Sequence, residues 1–226
     1  MFVQFLIEDQ SGEKLIDAVM SKYKLEKPDS IIDYQIKTYK GIGGFQKGPS
    51  AKNIKSVHLL TELPKRMRAF NNELKYTKDA SLFIVLDNDT RNTHIFKKQL
   101  FEVAENNHIS IDHVFCIAIE EMEAWLLGDR QAIKNAYPKL HDRIDAKHSN
   151  YSQDSICGTW EILADMLTKK GLSGFRKFNQ TAMEIGKCKS EWAETIGKHL
   201  NIRGNISPSF NYFIGELDKR VTISSQ

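Results

Sequence analysis

The stretch "SLFIVLDNDTRNTH", residues 81–94, decides the fold class. Its apolar residues from Leu82 to Leu86 form one uninterrupted hydrophobic run, which is typical of a strand that is buried on both faces. Asp87 and Asp89 follow this run, and a segment with helical character begins soon after them. Such a strand belongs to a parallel sheet covered by helices, and its two carboxylates need an explanation of their own.

Strands and helices alternate along the first 130 residues. The other predicted strands are "FVQFLI" (2–7), "IIDYQIKTY" (31–39) and "HVFCIAI" (113–119). Helices are predicted at "SGEKLIDAVMSKYKL" (11–25), with Ser11 as its N-cap, at Lys52 to Leu74, and at "THIFKKQLFEVAENN" (93–107). Strands that are apolar on both faces and separated by helices predict an α/β fold, with a mostly parallel sheet flanked by helices.

Beyond residue 130 the strand signals fade and helical patterns take over. The predicted helices are "GTWEILADMLTKKG" (158–171), "RKFNQTAMEIG" (176–186), "KSEWAETIGKHL" (189–200) and "SFNYFIGELDKRV" (209–221). The polar stretch "HDRIDAKHSNYSQDS" (141–155) is predicted to be a flexible connection. We therefore expect an α/β domain over residues 1–130 and a helical C-terminal extension over residues 131–226.

The composition, with 41% hydrophobic and 27% charged residues, is typical of a soluble globular protein. No apolar run approaches the roughly 18 residues of a membrane span, and the start "MFVQFLIEDQ" lacks the basic leader of a signal peptide. These features predict a cytoplasmic protein without a membrane partner. Cys116, Cys157 and Cys188 are odd in number and far apart, which disfavours both a disulfide framework and a thiolate metal site.

The net charge of +3 conceals alternating acidic and basic blocks. The first basic block comprises Lys52, Lys55, Lys65, Arg66, Arg68, Lys75 and Lys78, and the second comprises Lys169, Lys170, Arg176, Lys177, Lys187, Lys189, Lys198 and Arg203. Between them, residues 99–129 contain seven acids and no Lys or Arg. This pattern indicates either the solvated faces of long helices or a cation-binding centre flanked by surfaces for a polyanion.

Acidic residues follow three of the predicted strands. They are Glu8 and Asp9 after the first strand, Asp87 and Asp89 after the third, and Glu120, Glu121 and Glu123 after the fourth. In open parallel sheets, ligands bind outside the carboxyl ends of the strands, so these acids are expected at one edge. While the chain stays extended, Asp87 and Asp89 project to the same side. Crowded carboxylates repel one another, and a hard divalent cation such as Mg²⁺ neutralises them.

Each acidic cluster also has a structural alternative. Asp and Asn form turns and helix N-caps, so Asp89 or Thr90 could simply begin the next helix. Acids in the first turn of a helix complement its dipole, which would account for Glu120, Glu121 and Glu123 without any chemistry.

Several of these motifs resemble the TOPRIM fold of topoisomerases, primases and nucleases of the overcoming-lysogenisation-defect type. The segments "FLIEDQSGEKL", "TYKGIGG", "IVLDNDT", "IAIEEMEAWLLGD" and "NISPSF" resemble more closely a family of uncharacterised TOPRIM-like proteins, often encoded beside ATPases in phage-defence loci. The resemblance spans nearly the whole chain, and "EEMEAWLLGD" is its most specific part. It implies a TOPRIM-like sheet.

The resemblance also implies a role for individual residues. Glu8 matches the first-strand glutamate, which serves TOPRIM enzymes as a general acid/base or an additional metal ligand. The metal-binding positions match Asp87, Asp89, Glu121 and Glu123, whereas Glu120 stands where the family commonly has another residue. Asp9 replaces the usual TOPRIM glycine. Lys40, beside the "GIGG" loop, matches a family segment that could hold a phosphate, although the segment could also be a plain loop.

The function implied by this resemblance is phosphodiester hydrolysis by an endonuclease that uses one or two Mg²⁺ or Mn²⁺ ions, roughly 4 Å apart where there are two. The implied partners are nucleic acid, DNA in preference to RNA, and an ATPase protein in a phage-defence system. The sequence has no Gly-x-x-x-x-Gly-Lys phosphate-binding loop, so any ATP use is expected to belong to another chain.

Two other functions remain open from the sequence. A phosphatase of the haloacid dehalogenase type also has Asp-x-Asp at a strand end, but Arg91 stands where that motif has Thr or Val. The second is a non-enzymatic regulatory or partner-docking subunit that retains the fold. Its docking surface would come from C-terminal aromatic residues, namely Trp160, Phe175, Phe178, Trp192, Phe210, Tyr212 and Phe213.

Overall fold

A computed structural model describes residues 1–45 and 58–224 of the chain. The α/β part consists of β1 (Phe2–Ile7), α1 (Gln10–Glu26), β2 (Asp33–Thr38), α2 (Leu59–Leu74), β3 (Ala80–Asp87), α3 (Thr93–Asn106) and β4 (Asp112–Ala118). Lys52 and Lys55 of the first basic block, and the predicted start of the second helix, lie outside the described residues.

The four strands form one parallel sheet in the order β2-β1-β3-β4. In its register, Ile7 of β1 pairs with Thr38 of β2 on one side and with Val85 of β3 on the other, while Asp87 pairs with Ala118 of β4. Helices cover both faces of this sheet, which confirms the predicted α/β fold. The carboxyl ends of paired strands lie beside each other in this register, so the acids that follow the strands lie along one edge of the sheet.

The two faces of the sheet pack against different sets of helices. Leu6 of β1 and Ile84 of β3 face α2 and α3 in one hydrophobic core. Phe5 and Phe83 point to the opposite face, where α1 and the C-terminal helices form the larger core. Because side chains alternate between the faces of a strand, a strand that is apolar at every position is required for this two-sided burial.

The C-terminal part of the chain is helical, as predicted. Its helices are α4 (Glu123–Leu127), α5 (Arg130–Ala136), α6 (His141–His148), α7 (Thr159–Leu167), α8 (Gly171–Phe178), α9 (Ala182–Gly197) and α10 (Pro208–Ser224), with a 3-10 turn at Pro138–Leu140. They share the larger core with the sheet, so this part of the chain packs directly on the α/β part. None of the helices in the described residues is long and apolar enough to cross a membrane.

Three local predictions were wrong. The N-cap of α1 is Asp9, whose carboxylate accepts a hydrogen bond from the backbone N–H of Gly12, and Ser11 is already inside the helix. The first half of the expected flexible connection forms α6. The segment predicted as one helix over 176–186 is interrupted, because Thr181 and Glu184 form a capping box that begins α9.

Candidate active site

The candidate site lies where the strand order of the sheet reverses. From β1 the chain first passes to β2 on one side and then to β3 on the other, which opens a crevice at the carboxyl ends of β1 and β3. Glu8 follows β1 directly and Asp87 is the last residue of β3. The backbone N–H of Asp87 donates a hydrogen bond of 3.2 Å to Glu8 Oε2. The structure therefore brings these two predicted site residues together at the crevice.

Asp87 is a buried carboxylate with an unused oxygen. Its residue is only 7% exposed, and its Oδ1 atom has no hydrogen-bond partner. Burial, followed by the neighbouring charge of Glu8, raises the pKa of Asp87 well above its ordinary value. An unpartnered buried carboxylate is costly, so this oxygen needs either a proton or a cation.

The pKa of Glu8 is raised as well. Burial, with smaller contributions from the charges of Asp89 and Asp9, raises the pKa of Glu8 to about 7. The backbone of Asp9 is extended, with φ −150°, so the position of the usual TOPRIM glycine does not demand a glycine here. A carboxyl group that titrates near neutral pH is suited to exchange a proton during a reaction.

Glu8, Asp87, Glu121 and Glu123 form a carboxylate cluster, and Asp89 lies at its rim. The strand ends at Asp87, and Asp89 has a left-handed backbone with φ +48°, so the extended chain that would place both side chains on one side does not continue. Asp89 forms an ion pair with Arg91, and its side chain is 42% exposed. The next helix is capped by Asn92, so the alternative role of Asp89 as an N-cap was wrong.

The three glutamates after β4 have different partners. Glu120 accepts hydrogen bonds of 2.6 Å from the backbone N–H groups of Gly158 and Thr159 at the start of α7, which assigns it a structural role. Glu121 and Glu123 belong to the carboxylate cluster. Burial and the charge of Glu123 raise the pKa of Glu121 to about 8, and burial also raises the pKa of Glu123.

Lys189 is the site residue that the sequence analysis missed. Its Nζ lies 3.4 Å from Glu121 Oε1 and 3.1 Å from Glu123 Oε2, and its side chain is only 12% exposed. Burial opposes the charged form, but the charges of Glu123 and Glu121 outweigh it and hold the pKa of Lys189 above its usual range. Burial is the largest cause of the raised pKa values of the carboxyl groups, and the surplus negative charge of the cluster adds to it, whereas the raised pKa of the ammonium comes from that charge alone.

The assignment of Lys189 to a surface basic block was therefore wrong. Lys189, Trp192, Ala193 and Ile196 are spaced at i, i+3, i+4 and i+7 along α9, and the last three are buried. This spacing places the lysine on the inward face of the helix. It is a sequence signal that could have identified Lys189.

Lys40 lines a neighbouring cleft of about 1190 Å³. Met183 contributes to an apolar wall of this cleft from α9. The other charged residues that line it are the bases Lys37, Arg66 and Lys187 and the acids Asp9, Glu62, Glu191 and Glu194, so the charges of the lining are balanced. Asp9 contributes charge to the cluster as well, so the cleft adjoins it. A chain with phosphate groups that lies in the cleft would meet lysines on the way to the carboxylates.

The donor set of the cluster fits a hard divalent cation, because all of its acidic ligands are oxygens and Asp87 Oδ1 is unpartnered. Within residues 1–45 and 58–224, no three His, Cys, Asp or Glu side chains already form a ready metal-binding group. Metal binding thus requires the carboxylate side chains to close around the ion.

In a comparison with protein families, residues 7–218 match the family described as "Domain of unknown function (DUF4276)". The chain belongs to this family. Its matched region includes every residue of the cluster, Lys189 among them. No curated protein and no solved structure matches the chain. The resemblance to TOPRIM proteins stays a prediction.

The segment "EEMEAWLLGD" (120–129) of this DUF4276 chain holds the carboxylate loop in place. Residues 120–129 pack against residues 205–210 through hydrogen bonds that include one of 2.9 Å from the backbone N–H of Ile206 to the backbone oxygen of Gly128. Trp125 Nε1 donates to Ser209 Oγ over 2.9 Å, and Asn205 Nδ2 donates to the backbone oxygen of Trp125 over 2.7 Å. Trp125 is fully buried, so it anchors α4 directly after Glu121 and Glu123. The contact between residues 120–129 and residues 205–210 therefore helps to fix the positions of Glu121 and Glu123.

The raised pKa values make a prediction about stability. In the folded protein without metal, Glu8 and Glu121 keep protons up to about pH 7 and 8, whereas unfolded glutamate releases them near 4.5. The folded state therefore binds more protons between pH 5 and 8, and stability falls as the pH rises. We expect the free energy of unfolding to be roughly 3 to 4 kcal/mol lower at pH 8 than at pH 6.

Urea unfolding in the presence of a chelator measures this difference. The variant Glu121→Gln is the control, because it removes the group with the higher pKa and should reduce the difference by roughly half. An equal or greater stability at pH 8 would contradict the protonation of the cluster.

Proposed function

We propose that this protein is a nuclease that hydrolyses phosphodiester bonds with the help of Mg²⁺ or Mn²⁺. The observation that carries the proposal is the buried, unpartnered oxygen of Asp87, which lies beside Glu8 at the reversal point of a parallel sheet. A buried anionic oxygen without a partner is unusual in folded proteins and favours a functional site.

The residues of the cluster divide the work of such a reaction. A bound divalent ion supplies Lewis-acid polarisation of the phosphate and lowers the pKa of water. Asp87, with the other carboxylates of the cluster, would hold the ion. Glu8, whose side chain accepts a hydrogen bond from the backbone N–H of Asp87, would either exchange a proton with the reacting groups or be a further ligand of the ion.

Nucleic acid is the substrate class that the resemblance implies, and the cleft next to this cluster offers lysines to its phosphates, although as many acids as bases line it. Lys37, Lys40 and Lys187 line the cleft beside the apolar wall that includes Met183. Lysines at this place would contact phosphates without reading the sequence, and such binding weakens steeply with salt. We retain DNA in preference to RNA, and an ATPase partner in phage defence, as proposals that rest on the resemblance.

A second candidate function, as a regulatory or docking subunit, has less structural support. It relied on an exposed aromatic surface, but Phe175, Trp192, Phe210 and Phe213 are buried in the larger core. Phe178 is 78% exposed and Tyr212 is 38% exposed, while Trp160 is partly buried. Exposed aromatic side chains that stand singly are ordinary for a protein surface.

The direct test is cleavage of supercoiled plasmid and of single-stranded RNA by the purified protein with Mg²⁺ or Mn²⁺. We expect nicking or linearisation of the plasmid that a chelator abolishes and that weakens as salt increases. Cleavage of the RNA but not of the plasmid would show that the substrate is RNA and not DNA. Cleavage that continues in the chelator would contradict the role of the metal.

Metal binding itself should stabilise the fold. An ion that binds only the folded state at about 100 times its dissociation constant adds about 2.7 kcal/mol to the free energy of unfolding. We therefore expect Mn²⁺ to raise the melting temperature at pH 8, where the cluster carries most charge, and to have less effect at pH 6, where protons compete. The measurement is a thermal melt at both pH values, with Ca²⁺ and Na⁺ as comparison ions. An unchanged melting temperature at saturating Mn²⁺ would argue against a metal site.

A further inference from the structure

We propose that Lys189 is a built-in cation of the active site and that the protein binds a single divalent ion, at Glu8 and Asp87. This inference rests on the proposed function and specifies it. In this proposal the charge of Glu121 and Glu123 is neutralised by Lys189, whereas the charge of Glu8 and Asp87 is neutralised by a bound metal ion.

Contacts of Lys189 define the first half. Its ammonium lies within ion-pair distance of both Glu121 and Glu123, at 3.4 and 3.1 Å. The lysine comes from the inward face of α9, and Glu123 is almost completely buried. A buried lysine between two glutamates occupies the space in which their oxygens would meet a shared ion.

The second half has no such partner. Among the described residues, neither Glu8 nor Asp87 forms an ion pair with a lysine or arginine, whereas Asp89 is paired with Arg91. Asp87 Oδ1 is buried without any hydrogen-bond partner. Glu121 Oε2 and Glu123 Oε2 are unpartnered as well, so what sets Glu8 and Asp87 apart is that no lysine or arginine of the described residues lies within ion-pair distance of them. A divalent ion at the ends of β1 and β3 would neutralise this charge.

A second ion at Glu121 and Glu123 is disfavoured while Lys189 stays in position. Two-metal sites need carboxylates on both sides of the reacting phosphate to bind ions roughly 4 Å apart. Mg²⁺ also demands oxygen ligands at about 2.1 Å in octahedral geometry. An ammonium group between the two glutamates supplies no ligand and repels a second cation. Lys189 therefore supplies the positive charge that a second ion would otherwise bring.

The test is the number of Mn²⁺ ions bound per chain, measured by equilibrium dialysis with metal analysis and by electron paramagnetic resonance. We expect one ion in the natural chain and two in Lys189→Met, which keeps the length of the side chain and removes its charge. Lys198→Met is the matched control at the end of the same helix, because Lys198 is exposed and forms an ion pair with Glu194. It should bind one ion.

Two ions in the natural chain, or one ion in a folded Lys189→Met, would overturn this inference and leave the nuclease proposal standing. No bound ion in the natural chain would overturn both. If Lys189→Met does not fold, the variants Glu121→Gln and Asp87→Asn decide. We expect Glu121→Gln to bind one ion with affinity reduced by about fivefold at most, and Asp87→Asn to lose about 100-fold or more. Equal losses in the two variants would overturn the assignment of the ion to Asp87.

Discussion

Substitution of Asp87 by Asn should abolish cleavage and at the same time stabilise the protein in the absence of metal. The carboxylate is buried, has an unpartnered Oδ1, and lies beside Glu8. Removing its charge relieves repulsion in the metal-free fold, whereas the amide is a poor ligand for a hard cation. A bound metal contributes several kcal/mol to transition-state stabilisation, so we expect activity to fall by roughly a thousandfold or more.

Asp112→Asn is the matched control for this substitution. Asp112 begins β4 at the opposite edge of the sheet, where it pairs with Arg220 and accepts a hydrogen bond of 2.6 Å from Ser81. Its loss should leave the cleavage rate unchanged and reduce stability by about 1 kcal/mol. The two Asp→Asn changes on neighbouring strands thus have opposite expected effects on stability.

Plasmid cleavage and urea unfolding in a chelator measure both quantities on the same preparations. Full activity in Asp87→Asn would remove Asp87 from the reaction. A strong loss of stability in that variant would instead indicate that Asp87 has a structural role that the unpartnered oxygen does not reveal.

The part of the site that the sequence could predict is the part that depends on local pattern. The apolar run from Leu82 to Leu86 predicts a strand buried on both faces, and a parallel sheet brings the ends of its strands to one edge. Glu8 and Asp87 meet there because they directly follow strands that are neighbours in the sheet. Their contact therefore follows from the order of elements alone.

The contacts that were not predicted depend on tertiary packing. Lys189 joins the cluster from a helix more than 60 residues beyond Glu123. Its helical spacing places it on the inward face, but no local rule identifies what that face meets. Glu120 differs from Glu121 in the same way, because its role depends on the backbone N–H groups of Gly158 and Thr159 at the start of a distant helix. A run of three acids in the sequence therefore contains two different roles.

The junction between α4 and the segment before α10 supplies the second large prediction. Gly128 is buried after α4, and a Cβ atom on it would lie 2.0 Å from Asn205 Oδ1 and 2.9 Å from Ser207 Cβ. The side chain of Asn205 holds the backbone oxygen of Trp125, so it cannot move aside without breaking that hydrogen bond. Overpacking costs about 1 to 3 kcal/mol and the lost hydrogen bond about 1 more, so Gly128→Ala should destabilise the fold by about 2 to 4 kcal/mol.

Gly215→Ala makes the same chemical change with the opposite expected sign. Gly215 lies inside α10, and its Cβ would meet nothing within 4 Å. Alanine is the better helix former, so this variant should gain about 0.5 to 1 kcal/mol. Urea unfolding of both variants measures the difference. Because Trp125 anchors the helix that begins at Glu123, Gly128→Ala should also weaken Mn²⁺ binding, whereas Gly215→Ala should not. Equal stability of the two variants would show that Gly128 is not tightly packed against Asn205, and the junction would then have no part in positioning the carboxylates.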